Sequence, residues 1–223
     1  MKLGLERLRL AEALAAEGIM KTEAVRRAFL TVEREAFVWP GSEEEAYLDM
    51  PLGLGVTGQT ISAPHMVVIM LEALDPKPGD VILEVGTGSG YNAALLAEMV
   101  APAGGKRGRV VSLERVPELV DFARKNLARA GYADRVEVLH HDGTLGDPSR
   151  PRGFYDGITV TAAAPRIPVA LKEQLKVGGV LLIPLGPLGY QNLIRLVRVS
   201  ADRFVEEDLG GCIFVPLVGK DSY

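Results

Sequence analysis

The chain has two stretches that differ in the spacing of their apolar residues. Before residue 75, leucine, alanine and valine recur every three or four positions, which predicts helices over 5–16, after Thr22 and over 66–74. Beyond the turn-rich segment 75–79, short apolar runs alternate with helical patterns. Alternation of this kind is typical of parallel strands joined by crossover helices. We therefore expect a helical extension over residues 1–75 and an α/β core over residues 76–223.

The core pattern predicts a doubly wound, mostly parallel sheet. The expected strands cover 81–85, 110–113, 136–139, 155–160 and 180–185, and the expected helices cover 91–100, 117–130 and 169–175. The last two strand-like segments, 193–199 and 204–215, have no helix between them. Consecutive strands without a crossover helix pair antiparallel. We therefore expect an antiparallel addition at one edge of the sheet.

Composition narrows the class of protein. The 223 residues include 48% apolar residues, carry a net charge of -4 and contain one cysteine. Such a chain can bury a sizeable core and has no internal disulfide, and its charge does not favour nucleic-acid binding. Charged residues interrupt the apolar positions of the first 20 residues, so we expect neither a signal peptide nor a membrane span. A cytoplasmic location is expected, and the basic run 106–109 is interpreted as a solvated surface loop.

A glycine-rich loop follows the first predicted core strand. Gly86, Gly88 and Gly90 allow tight turning and close approach of a ligand to the backbone. Their G-x-G-x-G spacing differs from the dinucleotide fingerprint, and the lysine of a P-loop is absent. Glu84 would repel a pyrophosphate but tolerate a cationic ligand such as S-adenosylmethionine. The glycines could also simply close a tight turn.

Acidic residues end the next two predicted strands. Glu114 stands where a dinucleotide fold places its ribose-binding acid, and Asp142 with Gly143 could face an adenine edge. Each acid alone could equally serve a helix start or a loop. Because the carboxyl ends of parallel strands meet at one crevice, the three loops together predict a cofactor pocket.

The segment before the third predicted helix carries further polar side chains. Ser62 is expected to be its N-cap, with Pro64 in the first turn, so that Thr60 and Ser62 lie at an anion-attracting helix end. His65 could face the pocket or solvent. His140 and His141 would point to opposite faces of a strand, so we expect no metal site.

These residues resemble the protein-L-isoaspartate O-methyltransferases over nearly the whole chain. The resemblance is carried by TISAPHM at 60–66, LEVGTGSGY at 83–91, TAAAP at 161–165 and QLKVGG at 174–179. It implies a Rossmann-like class I methyltransferase fold, S-adenosylmethionine as methyl donor, S-adenosylhomocysteine as product, and repair of isoaspartyl residues in damaged proteins.

The resemblance also assigns roles to individual positions. Ser62 is implied as the active-site residue, and the tail Val215, Pro216 and Leu217 as the lining of the substrate groove. The implied cofactor contacts are Thr60, His65, Glu84, Gly86, Thr87, Gly88, Gly90, Glu114, Asp142 and Gly143. The sequence departs from the family at His141, where glycine is usual, and in the link 147–153, and both departures fall at the rim of the implied adenine pocket.

Other functions remain to be distinguished. A methyltransferase of the same fold could act on another carboxylate or on a small molecule, and a cofactor-binding module could have lost catalysis. An adenine-N6 methyltransferase would need an Asn/Asp-Pro-Pro-aromatic motif where this chain has Thr161 to Ala164. A nicotinamide dehydrogenase is disfavoured by the glycine spacing. An isoaspartyl carboxylate is ionised at neutral pH, so its methylation needs no general base.

Overall fold

The computed structural model describes residues 2–102 and 107–223 of the chain. The helices are α1 (Lys2–Ala16), α2 (Glu23–Thr31), α3 (Pro64–Leu74), α4 (Tyr91–Val100), α5 (Pro117–Arg129) and α6 (Val169–Gln174). The strands are β1 (Leu52–Gly53), β2 (Thr60–Ile61), β3 (Val81–Val85), β4 (Arg109–Glu114), β5 (Val136–His140), β6 (Tyr155–Val160), β7 (Leu175–Leu185), β8 (Gln191–Arg198) and β9 (Phe204–Cys212). Lys106, the first residue of the predicted basic loop, lies outside the described residues, and Arg109 opens β4.

The predicted doubly wound sheet is confirmed. Seven strands lie in the order β5-β4-β3-β6-β7-β8-β9. The first five in this order are parallel, and β8 and β9 add antiparallel, as expected for the edge. β4 and β5 lie on one side of β3 in the sheet, and β6 and β7 lie on its other side. The direction in which successive strands are added therefore reverses between β3 and β6. Ligands bind at such a switch point, beyond the carboxyl ends of the strands.

Two strands, β7 and β9, have bounds that differ from the predicted ones by three residues or more. β7 begins at Leu175, directly after α6, because Leu175 pairs with Tyr155 before a bulge and regular pairing resumes at Val180. Residues 176–179, Lys-Val-Gly-Gly, lack the apolar run that identifies a strand in the sequence, so the predicted strand began only at Val180. The predicted last strand ends at Cys212, since the following residues leave the sheet edge and approach Ala163 instead.

The N-terminal helices share a hydrophobic core with the sheet. Alternate residues of each strand face opposite sides of the sheet, which gives two apolar clusters. One cluster joins Leu14 of α1, Phe29 of α2 and Leu71 of α3 to Leu95 of α4 and Ile82 of β3. Burial of this kind contributes about 25 cal/mol per Å² of apolar surface and holds α3 over the switch point. In the described residues, no helix is both long and apolar enough to span a membrane.

Candidate functional site

Two adjoining cavities lie at the switch point. The larger encloses about 620 Å³ of space and the smaller about 430 Å³, with the part that is open to solvent included. Four residues line both cavities and form their junction: Thr60, Gly86, Gly88 and Thr161. The crevice therefore combines the end of β2, the glycine loop after β3 and the residue that follows β6.

The three glycines of the loop have different roles. Gly86 has a φ of +96°, and a Cβ there would lie 2.4 Å from the Thr161 hydroxyl oxygen. Gly88 has a φ of +55° and lines both cavities together with Gly86. Gly90 lines neither cavity: it precedes α4, and a Cβ there would lie 3.1 Å from Leu127 Cγ of α5. Two glycines thus form the part of the loop that lines the crevice, and the third allows α4 and α5 to approach each other.

Glu114 lies at the predicted strand end and lines the larger cavity. Its Oε2 accepts a hydrogen bond from the Gly88 N–H at 2.9 Å. Its Oε1 accepts from the N–H groups of Arg115 and Val116 at 2.8 and 2.9 Å. A carboxylate has about four lone-pair positions, so three are occupied and one stays open. Glu114 can accept one hydroxyl of a ligand as it stands, and a second hydroxyl would have to replace Gly88.

Glu84 lies beneath the crevice rather than in its lining, and its contact with a cationic ligand stays a prediction. The side chain is fully buried and lines neither cavity. Asn92 Nδ2 and the Ser112 hydroxyl donate to its two oxygens, and the Ser112 oxygen also contacts the Thr87 hydroxyl. Burial raises the pKa of Glu84 to about 7, although these hydrogen bonds oppose the shift. Glu84 is thus connected to Thr87 of the glycine loop by hydrogen bonds through the Ser112 hydroxyl.

Asp142 is likewise held away from the crevice, while its neighbour Gly143 lines the larger cavity. Asp142 Oδ1 accepts from the N–H and hydroxyl of Thr144, and Oδ2 accepts from the Lys220 N–H. Burial opposes ionisation, but the hydrogen bonds from Thr144 and Lys220 outweigh it and lower the pKa of Asp142. The hydrogen bonds of Asp142 are thus made within the chain, and its contact with an adenine edge stays a prediction, while His141 and Gly143 line this side of the larger cavity.

Ser62 lines the smaller cavity, but it is not the N-cap of α3 as the sequence suggested. Ala63 occupies the cap position and supplies no side-chain hydrogen bond, and Pro64 is the first helical residue. Arg34 Nη2 donates to the Ser62 carbonyl oxygen at 2.9 Å. The prediction failed because Pro64 can start a helix directly after a residue without a capping side chain.

His65 lies on the first turn of α3 and lines neither cavity. Its backbone N–H donates to Asp49 Oδ1 at 2.8 Å, and its ring Nδ1 lies 3.0 Å from the same oxygen. The side chain is about one-third exposed, at 37%. The structure thus favours the expectation of a solvent-facing histidine over one that faces the pocket.

The C-terminal tail closes one side of the larger cavity. Ala163 donates its N–H to the Val215 carbonyl, and Leu217 donates its N–H to the Ala163 carbonyl, at 2.8 and 2.7 Å. Val215, Pro216 and Leu217 all line the cavity. The predicted groove segment is therefore attached beside the carboxyl end of β6.

Sequence reasoning missed several residues that shape the crevice. Thr161 follows β6 directly, so its position at a strand end was a signal that could have identified it. Arg34 begins a short 3₁₀ helix and Asp49 lies in a bend, and no local pattern connects them with Ser62. In the part of the chain that the structure describes, no group of three His, Cys, Asp or Glu residues could hold a metal ion.

Comparison with known proteins gives a consistent result. The family model "Protein-L-isoaspartate(D-aspartate) O-methyltransferase (PCMT)" matches residues 6–222. The protein-L-isoaspartate O-methyltransferases of Staphylothermus marinus and Pyrococcus horikoshii are each 50% identical to this chain; the matches cover 96% of it and 95% and 94% of those proteins.

Solved structures are similar over the same length. A Plasmodium falciparum structure, described as a protein-L-isoaspartate O-methyltransferase in complex with S-adenosyl-L-homocysteine, has a TM-score of 0.82 and 29% identity. The match covers 94% of this chain and 97% of that one. A second protein-L-isoaspartate O-methyltransferase has a TM-score of 0.84 at 27% identity, covering 97% of this chain and 67% of the other.

Proposed function

Since the chain belongs to the protein-L-isoaspartate(D-aspartate) O-methyltransferase family, we propose that it methylates the free carboxylate of isoaspartyl residues in damaged proteins and peptides. The methyl donor is S-adenosylmethionine, and the reaction initiates repair. The observation that carries the proposal is the position of Ser62, which lines the smaller cavity beside the glycine loop. The TISAPHM segment that contains it distinguishes this family from other methyltransferases with a similar loop.

The residues of the larger cavity fit an adenosine. Gly86 and Gly88 line the larger cavity with bare backbone, and a Cβ at Gly86 would displace the Thr161 hydroxyl that borders the same cavity. Glu114 retains an open lone pair for a ribose hydroxyl, and Gly143 with His141 offers a surface for the base. When bound, S-adenosylmethionine supplies an electrophilic methyl group on a sulfonium.

Ser62 is proposed to orient the acceptor carboxylate. An isoaspartyl residue carries a free α-carboxylate with a pKa of about 3.5, so the nucleophile is already ionised at neutral pH. The Ser62 hydroxyl can donate a hydrogen bond to one carboxylate oxygen and leave the other free to attack. Alignment and exclusion of water are then the contributions that remain for the protein. No general base is needed.

The tail is proposed to hold the substrate chain. Val215, Pro216 and Leu217 present an apolar wall to the larger cavity, and their attachment to Ala163 fixes this wall relative to the glycine loop. With the adenosine in the larger cavity, a peptide that approaches past the tail would bring its carboxylate toward the junction at Thr60 and Thr161.

The test is transfer of tritiated methyl from S-adenosylmethionine to an isoaspartyl peptide and to the same peptide with an ordinary aspartyl residue. We expect base-labile label in the isoaspartyl peptide and background label in its twin. Equal labelling of both peptides would indicate a general carboxyl methyltransferase. Absence of label, with S-adenosylhomocysteine still bound, would indicate a cofactor-binding protein without this activity.

A further inference from the structure

The N-terminus of α3 is capped from outside its own segment. Ala63 has no acceptor in its side chain, and Pro64 has no N–H, so the first N–H of the helix that needs a partner belongs to His65. Asp49, which lies in the turn region before β1, accepts this hydrogen bond through Oδ1 at 2.8 Å. The same oxygen contacts the His65 ring at 3.0 Å, which fixes the carboxylate in place.

The His65 N–H is also the donor from which the Ser62 hydroxyl would accept a hydrogen bond if Ser62 capped the helix. A serine at a helix start usually accepts from the N–H two or three residues later. The residue two positions after Ser62 is Pro64, which has no N–H, and the residue three positions after it is His65. The His65 N–H already donates to Asp49. Within the described ranges, the Ser62 hydroxyl makes no hydrogen bond to another residue.

A second contact holds the main chain of Ser62. The Arg34 side chain is fully buried. Its Nη2 donates to the Ser62 carbonyl oxygen at 2.9 Å, and its Nε donates to the Ala46 carbonyl oxygen at 2.8 Å. Its guanidinium lies 5.0 Å from the ring centroid of Tyr91, the first residue of α4. Burial of a guanidinium is costly, and burial lowers the pKa of Arg34. The backbone at Ser62 is thus fixed relative to the end of the glycine loop.

We infer that Asp49 is a positioning residue for methyl transfer: by binding the His65 N–H, it keeps the Ser62 hydroxyl free to orient the substrate carboxylate. Arg34 fixes the carbonyl of the same residue, so that the hydroxyl alone can rotate. The inference rests on the proposed role of Ser62. Its consequence is that loss of Asp49 allows Ser62 to turn back and cap α3.

The experiment compares Asp49→Ala with Asp49→Asn. The asparagine oxygen can still accept from the His65 N–H, whereas alanine cannot. We expect Asp49→Ala to lower kcat on an isoaspartyl peptide by about tenfold to about 100-fold, the range for a misplaced catalytic contact. Asp49→Asn should recover most of this loss. The affinity for S-adenosylhomocysteine, measured by calorimetry, should be the same in both variants and in the wild type.

A double substitution separates positioning from general damage. If Asp49 acts through Ser62, Asp49→Ala should lower kcat little further in a Ser62→Ala background. Equal additional losses in both backgrounds, or weakened S-adenosylhomocysteine binding, would overturn the inference and indicate a structural role. If Asp49→Ala is fully active while Ser62→Ala is impaired, the inference on Asp49 is overturned and the proposed function is not affected. Full activity of Ser62→Ala itself would contradict the proposed function.

Discussion

The Thr161 hydroxyl donates a hydrogen bond of 2.7 Å to the Gly86 carbonyl oxygen, which joins the residue after β6 to the loop after β3. The Thr161 N–H also donates to the Val85 carbonyl at 2.9 Å. These two bonds cross the switch point where the two strands diverge. Since both residues line both cavities, the hydroxyl sets the shape of the junction between them.

Loss of this hydroxyl should weaken cofactor binding. Thr161→Val keeps the shape of the side chain but leaves the Gly86 carbonyl without its partner, which costs about 1 kcal/mol of stability. Because the bond also shapes the free loop, we expect the affinity to fall by at most roughly fivefold, the equivalent of that cost. Thr161→Ser keeps the hydroxyl and serves as the matched control. Calorimetry with S-adenosylhomocysteine measures both. Equal affinity of the valine and serine variants would show that the hydroxyl does not shape the binding loop.

Glu114 should matter for cofactor affinity more than for turnover. Glu114→Ala removes the proposed ribose acceptor and also releases the Gly88, Arg115 and Val116 N–H groups. We expect the dissociation constant of S-adenosylhomocysteine to rise by about tenfold or more, since hydrogen bonds to charged groups contribute about 1.5–3 kcal/mol. Saturating S-adenosylmethionine should restore most of kcat. An unchanged affinity of Glu114→Ala for S-adenosylhomocysteine would contradict the assignment of Glu114 as a ribose acceptor.

Buried Glu84 predicts a specific dependence of stability on pH. Burial raises its pKa from 4.5 to about 7, so between these values the folded state keeps a proton that the unfolded state has lost. The free energy of unfolding should therefore fall as the pH rises through this window, by up to about 1.4 kcal/mol for each pH unit. Above about pH 7 both states are ionised, and this contribution no longer changes.

Urea unfolding at pH 5.5 and pH 7.5 tests this, with Glu84→Gln as the comparison. The glutamine cannot ionise, so the difference in stability between wild type and variant should shift in favour of the variant at the higher pH. Asp142, whose pKa is lowered, contributes its own pH dependence at more acid pH and cancels in the comparison. A difference that stays constant with pH would mean that Glu84 titrates normally.

Gly90 should be required for helix packing. Gly90→Ala places a Cβ at a φ of +88° and 3.1 Å from Leu127 Cγ. Gly131→Ala is the matched control, because its φ is +81° and nothing lies within 4 Å of the added Cβ. The backbone cost is about 1–2 kcal/mol in each case. Urea unfolding should show a larger loss for Gly90→Ala, and equal losses would mean that α4 and α5 adjust without cost.

The sequence predicted the sheet well because its signals are local. Strand β3 and helix α4 match their predicted bounds, since an apolar run ends at a glycine loop and helical spacing begins at Tyr91. The crevice was found for the same reason, because Glu114 ends β4 and Gly143 comes shortly after β5. The partners of Ser62 and the burial of Glu84 depend on contacts between distant segments, such as Arg34 with Ser62. Periodicity carries no information on such pairs.

Ser62→Ala removes the one hydroxyl to which the orientation of the substrate carboxylate is assigned. We expect kcat on an isoaspartyl peptide to fall by about 100-fold while the dissociation constant of S-adenosylhomocysteine stays within about twofold of wild type. Steady-state methyl transfer and calorimetry on the same preparation give both numbers. Turnover at the wild-type rate, or a parallel loss of turnover and cofactor affinity, would contradict the assignment of Ser62 to the substrate carboxylate.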